Sequence, residues 1–188
     1  TIYSSDGKVI GVYGEERRAF TKIGDFPDVL KNAVLAAEDK RFYEHWGVDV
    51  VGVGRAIMGN ITAGSVQSGA STITQQVAKN FYLTNERTLT RKFNEALLAY
   101  KIEQSLTKDQ ILELYFNQIY LGQRAYGFTA AAQVYFNKPV KQLTLAEASI
   151  LAGLPKAPSA FNPIVNPERA RLRQEYILNN MLELGMIT

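Results

Sequence analysis

Apolar residues recur at helical spacing along most of the chain, and polar capping residues or glycines separate the segments that carry them. This pattern predicts a mainly α protein. Residues 1–20 differ, because they predict a short extended segment in which Asp6-Gly7 is the turn of a hairpin. Residues 21–188 carry no internal repeat or low-complexity linker, so we expect them to form one helical domain.

Capping signals place the predicted helices. Pro27 marks the first turn of the first helix, and a second helix is expected after Gly47. Capping boxes, with glutamine or glutamate three residues after a threonine, open three further helices at Thr72, Thr107 and Thr144. The remaining helices are predicted over 88–106, over 127–136 and from Asn166-Pro167 to Gly185. Gly122 is the predicted end of the helix that Thr107 opens, and Gly59–Gly69 reads as a polar loop.

One glutamate occupies a position where the helical pattern favours an apolar residue. Leu30, Val34 and Glu38 lie on one stripe of the helix that follows Pro27, and Phe42 continues that stripe. An acid on an inward face has its charged form disfavoured, which raises its pKa toward the range of a general base or acid. The alternative is a solvated glutamate at a frayed helix end, and this helix alone does not decide between the two.

A second glutamate lies among cations. Glu95 belongs to a helix that is apolar on most sides, where an acid is costly unless it is paired. Arg91 and Lys92 precede it by four and three residues, so an intrahelical ion pair is the simpler explanation. The helix N-terminus at Ser71-Thr72 has the free N–H groups of an anion site. Around it lie four cations: Lys79, Arg87, Arg91 and Lys92.

Two inward glutamates beside these cations favour a carboxylate base that faces a phosphate leaving group. That is the chemistry of glycosyl transfer from a sugar phosphate. A basic face that is merely solvated is the alternative. His45, the single histidine, has no acidic cluster at metal-ligand spacing and no nucleophile motif around it, so we expect it to be structural and bonded within its own turn.

Composition limits the other classes of protein. A chain of 188 residues can form one domain that buries roughly 70% of its unfolded surface. No run approaches the ~20 apolar residues that a membrane span requires. A net charge of +3 is too small to argue for nucleic acid, but it suits an anionic lipid surface or a phosphorylated substrate. The chain has no cysteine, which excludes thiolate chemistry.

Five blocks of residues occur in a fixed order between Glu38 and Pro163. They are Glu38-Asp39 with Phe42, His45, Gly47 and Asp49; Gly69–Gln76; Arg91-Lys92 with Glu95; Lys108, Ile111–Glu113, Tyr115, Asn117 and Gly122; and Gly127, Ala131-Ala132, Tyr135-Phe136 and Lys138. A run from Leu151 to Ser159 follows them. Together the blocks resemble the peptidoglycan glycosyltransferase domain of class A penicillin-binding proteins and their monofunctional relatives.

This resemblance implies a fold and a reaction. The fold is a lysozyme-like, two-lobed helical domain whose cleft holds two lipid-linked saccharides. The reaction transfers the growing glycan chain from its lipid pyrophosphate to the GlcNAc 4-hydroxyl of lipid II, with inversion to a β-1,4 linkage. Glu38 is the expected catalytic base, and Glu95 is the second catalytic residue, which orients cations or the donor sugar. The expected substrate-binding residues are Asp39, Ser71, Gln76, Lys79, Arg87, Arg91, Lys92 and Asn94.

The resemblance also implies partners and location. No cofactor is required, and Mg or Mn is optional. The expected partners are lipid II, the lipid-linked glycan chain and the membrane surface, and not nucleic acid. The parent protein is expected at the extracytoplasmic face of the bacterial membrane, in the periplasm. Its transmembrane anchor would precede this chain, and bifunctional members also carry a transpeptidase domain.

Two other functions stay open at the level of sequence. A glycan-cleaving enzyme of the same fold would also need an inward glutamate, although it would not need a cluster of cations for a pyrophosphate. A non-catalytic module that binds peptidoglycan or lipid could use the same cleft, but binding alone does not require a buried base.

Overall fold

The computed structural model describes residues 2–3, 9–11, 17–54, 71–80 and 88–188. The predicted hairpin turn at Asp6-Gly7, the predicted polar loop Gly59–Gly69 and the candidate cation Arg87 lie outside these ranges.

The described chain is mainly α-helical, which confirms the predicted fold class. Residues 50–54 are helical after Gly47, and short 3₁₀ turns cover Ile23–Asp25 and Val140–Gln142. The α-helices are α1 (Asp28–Glu38), α2 (Ile73–Lys79), α3 (Leu89–Ser105), α4 (Lys108–Gln118), α5 (Phe128–Phe136), α6 (Leu145–Gly153) and α7 (Pro167–Glu183).

Four short strands accompany the helices in the described ranges. β1 (Ile2–Tyr3) pairs antiparallel with β2 (Val9–Gly11), and Ile2 lies opposite Gly11. β3 (Arg17–Arg18) pairs in parallel with β4 (Ala125–Tyr126). The second pair joins the segment before α1 to the turn before α5, so residues 17–18 are part of the helical domain's framework.

The capping signals of the sequence form as predicted. Capping boxes with both reciprocal hydrogen bonds open α2, α4 and α6, at Thr72, Thr107 and Thr144. One predicted helix end is wrong, because α4 ends at Gln118 and not at Gly122. The Ile119 carbonyl accepts from the Gly127 N–H at 2.8 Å, so the chain already turns back there. Gly122 lies in the following turn with a φ of +82°, a conformation that favours glycine.

The helices form two groups around one hydrophobic core. α1 packs against α6 and α7, whereas α2 packs against α3 and α4. Leu30 of α1, Tyr115 and Phe116 of α4, Phe128 of α5 and Leu151 of α6 are completely buried. The last residue of α1, Glu38, accepts a hydrogen bond from Gln76 of α2, so α1 ends where the two groups meet. None of the helices in the described ranges has the length and apolarity to cross a membrane.

Candidate active site

A cleft of about 940 Å³ opens where the two groups of helices meet. Its walls come from the end of α1, from α2 and α3 on one side, and from α7 with the turn after α6 on the other. Among the residues that line it are Glu38, Ser71, Gln76, Lys79, Arg91, Lys92, Glu95, Lys156, Phe161, Leu172, Arg173 and Tyr176.

Glu38 is the last residue of α1 and lies at the junction of the cleft walls. Leu30 and Val34 on its stripe are completely buried, and its own side chain is only 9% exposed, so the predicted inward orientation is confirmed. Phe42, which is also buried, lies in the turn after the helix and not on the helix as the stripe predicted. Burial raises the pKa of Glu38, since the charged form loses its hydration.

Neighbouring donors oppose that shift. Gln76 Nε2 donates to Glu38 Oε2 at 3.0 Å, and Arg173 Nη2 donates to Glu38 Oε1 at 3.3 Å. The hydrogen bond from Gln76 and the charges of Arg173 and Lys156 each lower the pKa of Glu38. The carboxyl group is therefore held between burial, which favours its protonated form, and donors, which favour its ionised form. That balance suits a general base.

Gln76 is itself fixed from the other side. The hydroxyl of Tyr115 donates to Gln76 Oε1 at 3.2 Å, which directs the amide nitrogen toward Glu38. Burial raises the pKa of Tyr115 well above its ordinary value, and the charges of Glu38 and Asp39 raise it further. Tyr115 consequently keeps its proton and remains a donor. This chain of hydrogen bonds from α4 through α2 holds the carboxylate of Glu38 in place.

Glu95 lies on the wall formed by α2 and α3 and is 3% exposed. Its carboxylate lies 3.1 Å from Arg91 Nε and 3.3 Å from Lys92 Nζ, so the ion pairs expected from the sequence form. Lys92 also donates to Ser71 Oγ at 2.8 Å, and its side chain is 51% exposed. Glu95 thus holds two cations on the cleft wall while one of them still faces the solvent.

The structure brings most of the predicted site residues to the cleft. Seven of them line it: Glu38, Ser71, Gln76, Lys79, Arg91, Lys92 and Glu95. Two others that the structure describes do not. Asn94 is exposed on α3 outside the lining, and Asp39 is buried beneath the turn that follows α1.

Asp39 faces the protein interior because His45 and the backbone of α2 bind its carboxylate. Its carboxylate accepts from His45 Nε2 at 2.9 Å and from the Ile73 N–H at 3.0 Å, at the N-terminus of α2. The Gly47 N–H donates to His45 Nδ1 at 3.2 Å, so the ring proton lies on Nε2, facing Asp39. His45 is bonded within its own turn, as predicted. The hydrogen bond from the Ile73 N–H to Asp39 fastens the turn after Glu38 to α2.

The α7 wall is the part of the site that the sequence analysis missed. Arg173 is 8% exposed and contacts Glu38, and Lys156, Phe161, Leu172 and Tyr176 surround it along the lining. A signal existed in the sequence. Ala170, Arg173 and Ile177 share one buried stripe of α7, so Arg173 is a charged residue at an inward helical position, as Glu38 is on α1.

The cleft contains a buried carboxyl group of raised pKa, that of Glu38, and a cation rim formed by Lys79, Arg91 and Lys92. A carboxylate base can take a proton from a hydroxyl nucleophile, and a cation rim can stabilise a departing anion. The fold and the site together are those of a mainly helical group-transfer enzyme.

Comparison with known proteins assigns the family. The sequence profile of the transglycosylase family matches residues 6–182. The chain therefore belongs to the transglycosylase family, and it is a peptidoglycan glycosyltransferase domain, as the sequence blocks implied.

Individual relatives agree with this assignment. Penicillin-binding protein 1A of Neisseria lactamica is 81% identical over the whole chain, and its counterpart in Pseudomonas aeruginosa is 56% identical over 99% of it. The crystal structure of penicillin-binding protein 1A from Haemophilus influenzae matches 99% of the chain with a TM-score of 0.57 and 33% identity. The chain spans 24% and 23% of the two relatives and 18% of the solved chain.

Proposed function

We propose that this domain polymerises lipid II into β-1,4 glycan strands, with a lipid-pyrophosphate-linked glycan chain as the donor. The position and burial of the Glu38 carboxyl group are the observation that carries the proposal. Its carboxyl group lies on the cleft wall, nine-tenths buried and with a raised pKa, and donors from two other helices hold it in one orientation.

Glu38 acts as the general base in this proposal. Its carboxylate takes the proton of the GlcNAc 4-hydroxyl of lipid II as that oxygen bonds to the anomeric carbon of the donor sugar. The bond from the anomeric carbon to the phosphate oxygen breaks, and its electron pair leaves with the lipid pyrophosphate. Attack opposite the leaving group inverts an α-linked donor to a β-linked product. A positioned base contributes roughly 10²–10⁴-fold in rate.

The cation rim stabilises the leaving group. Arg91 and Lys92 are fixed by Glu95, and Lys79 lies on the same side of the cleft, in the last turn of α2. Negative charge accumulates on the phosphate oxygens as the bond breaks, and fixed cations in a cleft stabilise that charge more than water does. In this scheme Glu95 is a positioning residue, because it acts through the cations and does not exchange protons.

A dedicated metal is not part of the proposal. Within the ranges that the structure describes, no group of three or more His, Asp or Glu side chains is placed to hold a metal ion. Assistance by Mg or Mn through the pyrophosphate stays a prediction, and adding EDTA to the polymerisation assay tests it.

The partners and the location are also proposals. The relatives are named penicillin-binding proteins and are several times longer than this chain, which supports a larger parent protein. We place the domain at the extracytoplasmic face of the bacterial membrane, where its lipid-linked substrates would be presented at the membrane surface.

The test offers the purified chain two substrates in parallel. One is lipid II in detergent, and the other is finished, lipid-free peptidoglycan. The proposal predicts glycan polymer from lipid II and no degradation of the finished material. Degradation of peptidoglycan without polymer formation would replace the polymerase with a glycan-cleaving enzyme. Binding of lipid II without either reaction would support a non-catalytic module.

A further inference from the structure

The α7 wall of the cleft differs in chemistry from the cation rim that faces it. Tyr176 and Leu172 lie one helical turn apart, both line the cleft, and they are 48% and 57% exposed. Phe161, from the segment before α7, lies on the same wall. An aromatic ring and an aliphatic side chain exposed inside a cleft are available for contact with a substrate.

Arg173 holds the ring of Tyr176 in place. The guanidinium carbon lies 4.8 Å from the centre of the Tyr176 ring and 5.9 Å from that of Phe161, both within cation–π range. The hydrogen bonds of Arg173 to Glu38 and to the Ala37 carbonyl are long, at 3.3 and 3.4 Å, and its Nε has no hydrogen-bond partner among the described residues. Glu38 and the Ala37 carbonyl hold the guanidinium on one side, and the guanidinium in turn orients the ring of Tyr176.

This arrangement suits a sugar ring. A pyranose carries C–H groups on its faces and hydroxyl groups around its edge, so it can pack one face on an aromatic ring while its edge stays hydrogen-bonded. A lipid chain would require a continuous apolar surface, whereas this wall also carries the charges of Arg173 and Lys156. Arg173 contacts both the Glu38 carboxylate and the ring of Tyr176, and all three residues line the same cleft, so the ring and the base are separated by one arginine side chain.

We infer that Tyr176, with Leu172 next to it, is the platform on which the acceptor N-acetylhexosamine packs, so that its hydroxyl group faces Glu38. Tyr176 is then a specificity-determining residue of this domain. The inference rests on the proposed function for the identity of the acceptor, but the saccharide contact itself can be measured without any reaction.

The kinetic test compares Tyr176→Ala with Tyr176→Phe in lipid II polymerisation. Loss of the ring should raise KM about tenfold with kcat little changed, whereas phenylalanine keeps the ring and should stay within about twofold of the unmodified domain. Tyr43→Ala is the matched control, because Tyr43 is an exposed tyrosine that does not line the cleft.

A purely structural role of Tyr176 would act through Arg173 and Glu38. In that case Tyr176→Ala would move the acidic limb of the pH profile of kcat/KM, since a displaced Arg173 changes the pKa of Glu38. The platform predicts an unchanged limb together with the raised KM. A shifted limb, or a KM within twofold of the unmodified value, overturns the inference.

The binding test uses the β-1,4-linked disaccharide of N-acetylglucosamine as the probe, with NMR of the whole chain as the readout. We expect saturable shifts of the Tyr176 ring resonances, and the Tyr176→Ala variant should bind the probe about tenfold more weakly. A Tyr176 ring that does not respond to the disaccharide overturns the platform. If the ring responds but the domain makes no polymer, the platform stands and the proposed polymerase function fails.

Discussion

Arg173 Nη2 lies 3.3 Å from Glu38 Oε1, although 135 positions of sequence separate the two residues. Both side chains are about nine-tenths buried, so each charge loses hydration and depends on the other. Burial raises the pKa of Glu38, and the charge of Arg173 lowers it again. This contact between α1 and α7, together with the hydrogen bond from Gln76, therefore increases the fraction of the base that is ionised.

Replacing Arg173 should shift the pH dependence of activity. In Arg173→Met the pKa of Glu38 rises further, because the burial effect remains while an opposing charge is lost. The acidic limb of kcat/KM should therefore move to higher pH. Lys156→Met should move it in the same direction by less, since Lys156 makes the smaller electrostatic contribution. An unchanged acidic limb in Arg173→Met would show that Arg173 does not affect the pKa of Glu38.

Titration of Glu38 should also affect stability. Its pKa is raised on folding, so the folded state binds more protons than the unfolded state as pH rises above the ordinary value of 4.5. The free energy of unfolding should then fall with rising pH through the window between 4.5 and the raised pKa. Glu38→Gln lacks this term, so its stability relative to the unmodified domain should increase across that window. Chemical denaturation at several pH values measures the difference, and a pH-independent difference contradicts the raised pKa.

Replacing Glu95, which pairs with Arg91 and Lys92, should destabilise the domain. Glu95→Gln leaves both cations without their buried partner, and we expect a cost of about 3 kcal/mol together with reduced turnover. Glu175→Gln is the matched control, because Glu175 pairs with Arg171 at the same helical spacing as Glu95 with Arg91, but in an exposed position. That change should cost less than about 1 kcal/mol. Equal effects of the two substitutions on melting temperature would show that the buried ion pairs of Glu95 stabilise the domain no more than an exposed pair does.

Gly47, in the segment after α1, packs closely against the backbone of α3. Its φ is +88°, and a Cβ atom there would lie 2.9 Å from the backbone carbonyl of Ala99. Gly47→Ala should therefore cost more than about 2 kcal/mol, because neither the strained backbone nor the facing helix can relax easily. Gly24→Ala, where nothing lies within 4 Å of the added methyl group, should change stability by less than about 1 kcal/mol. Thermal unfolding of the two variants compares these positions, and similar losses would contradict the close approach to Ala99.

The sequence predicted what local spacing controls. The capping boxes, the inward stripe of Glu38 and the pairing of Glu95 with Arg91 all follow from positions three or four residues apart, and all form. The orientation of Asp39 could not be predicted, since it depends on the Ile73 N–H and on His45 after the helix has ended. Arg173 was accessible to the same stripe argument, but its contact with Glu38 depends on how α7 packs against α1.

The initial rate of lipid II polymerisation by Glu38→Gln tests the central claim most directly. The substitution removes the base, changes almost no volume and keeps a side chain that can accept hydrogen bonds. Glu44→Gln, an exposed glutamate in the turn after α1, is the control and should keep the full rate. If Glu38 is the base, its substitution lowers the rate by about 100-fold or more while the variant remains folded. A folded Glu38→Gln variant with a rate within about threefold of the unmodified domain would contradict the account, because a loss that small is below the contribution of a general base.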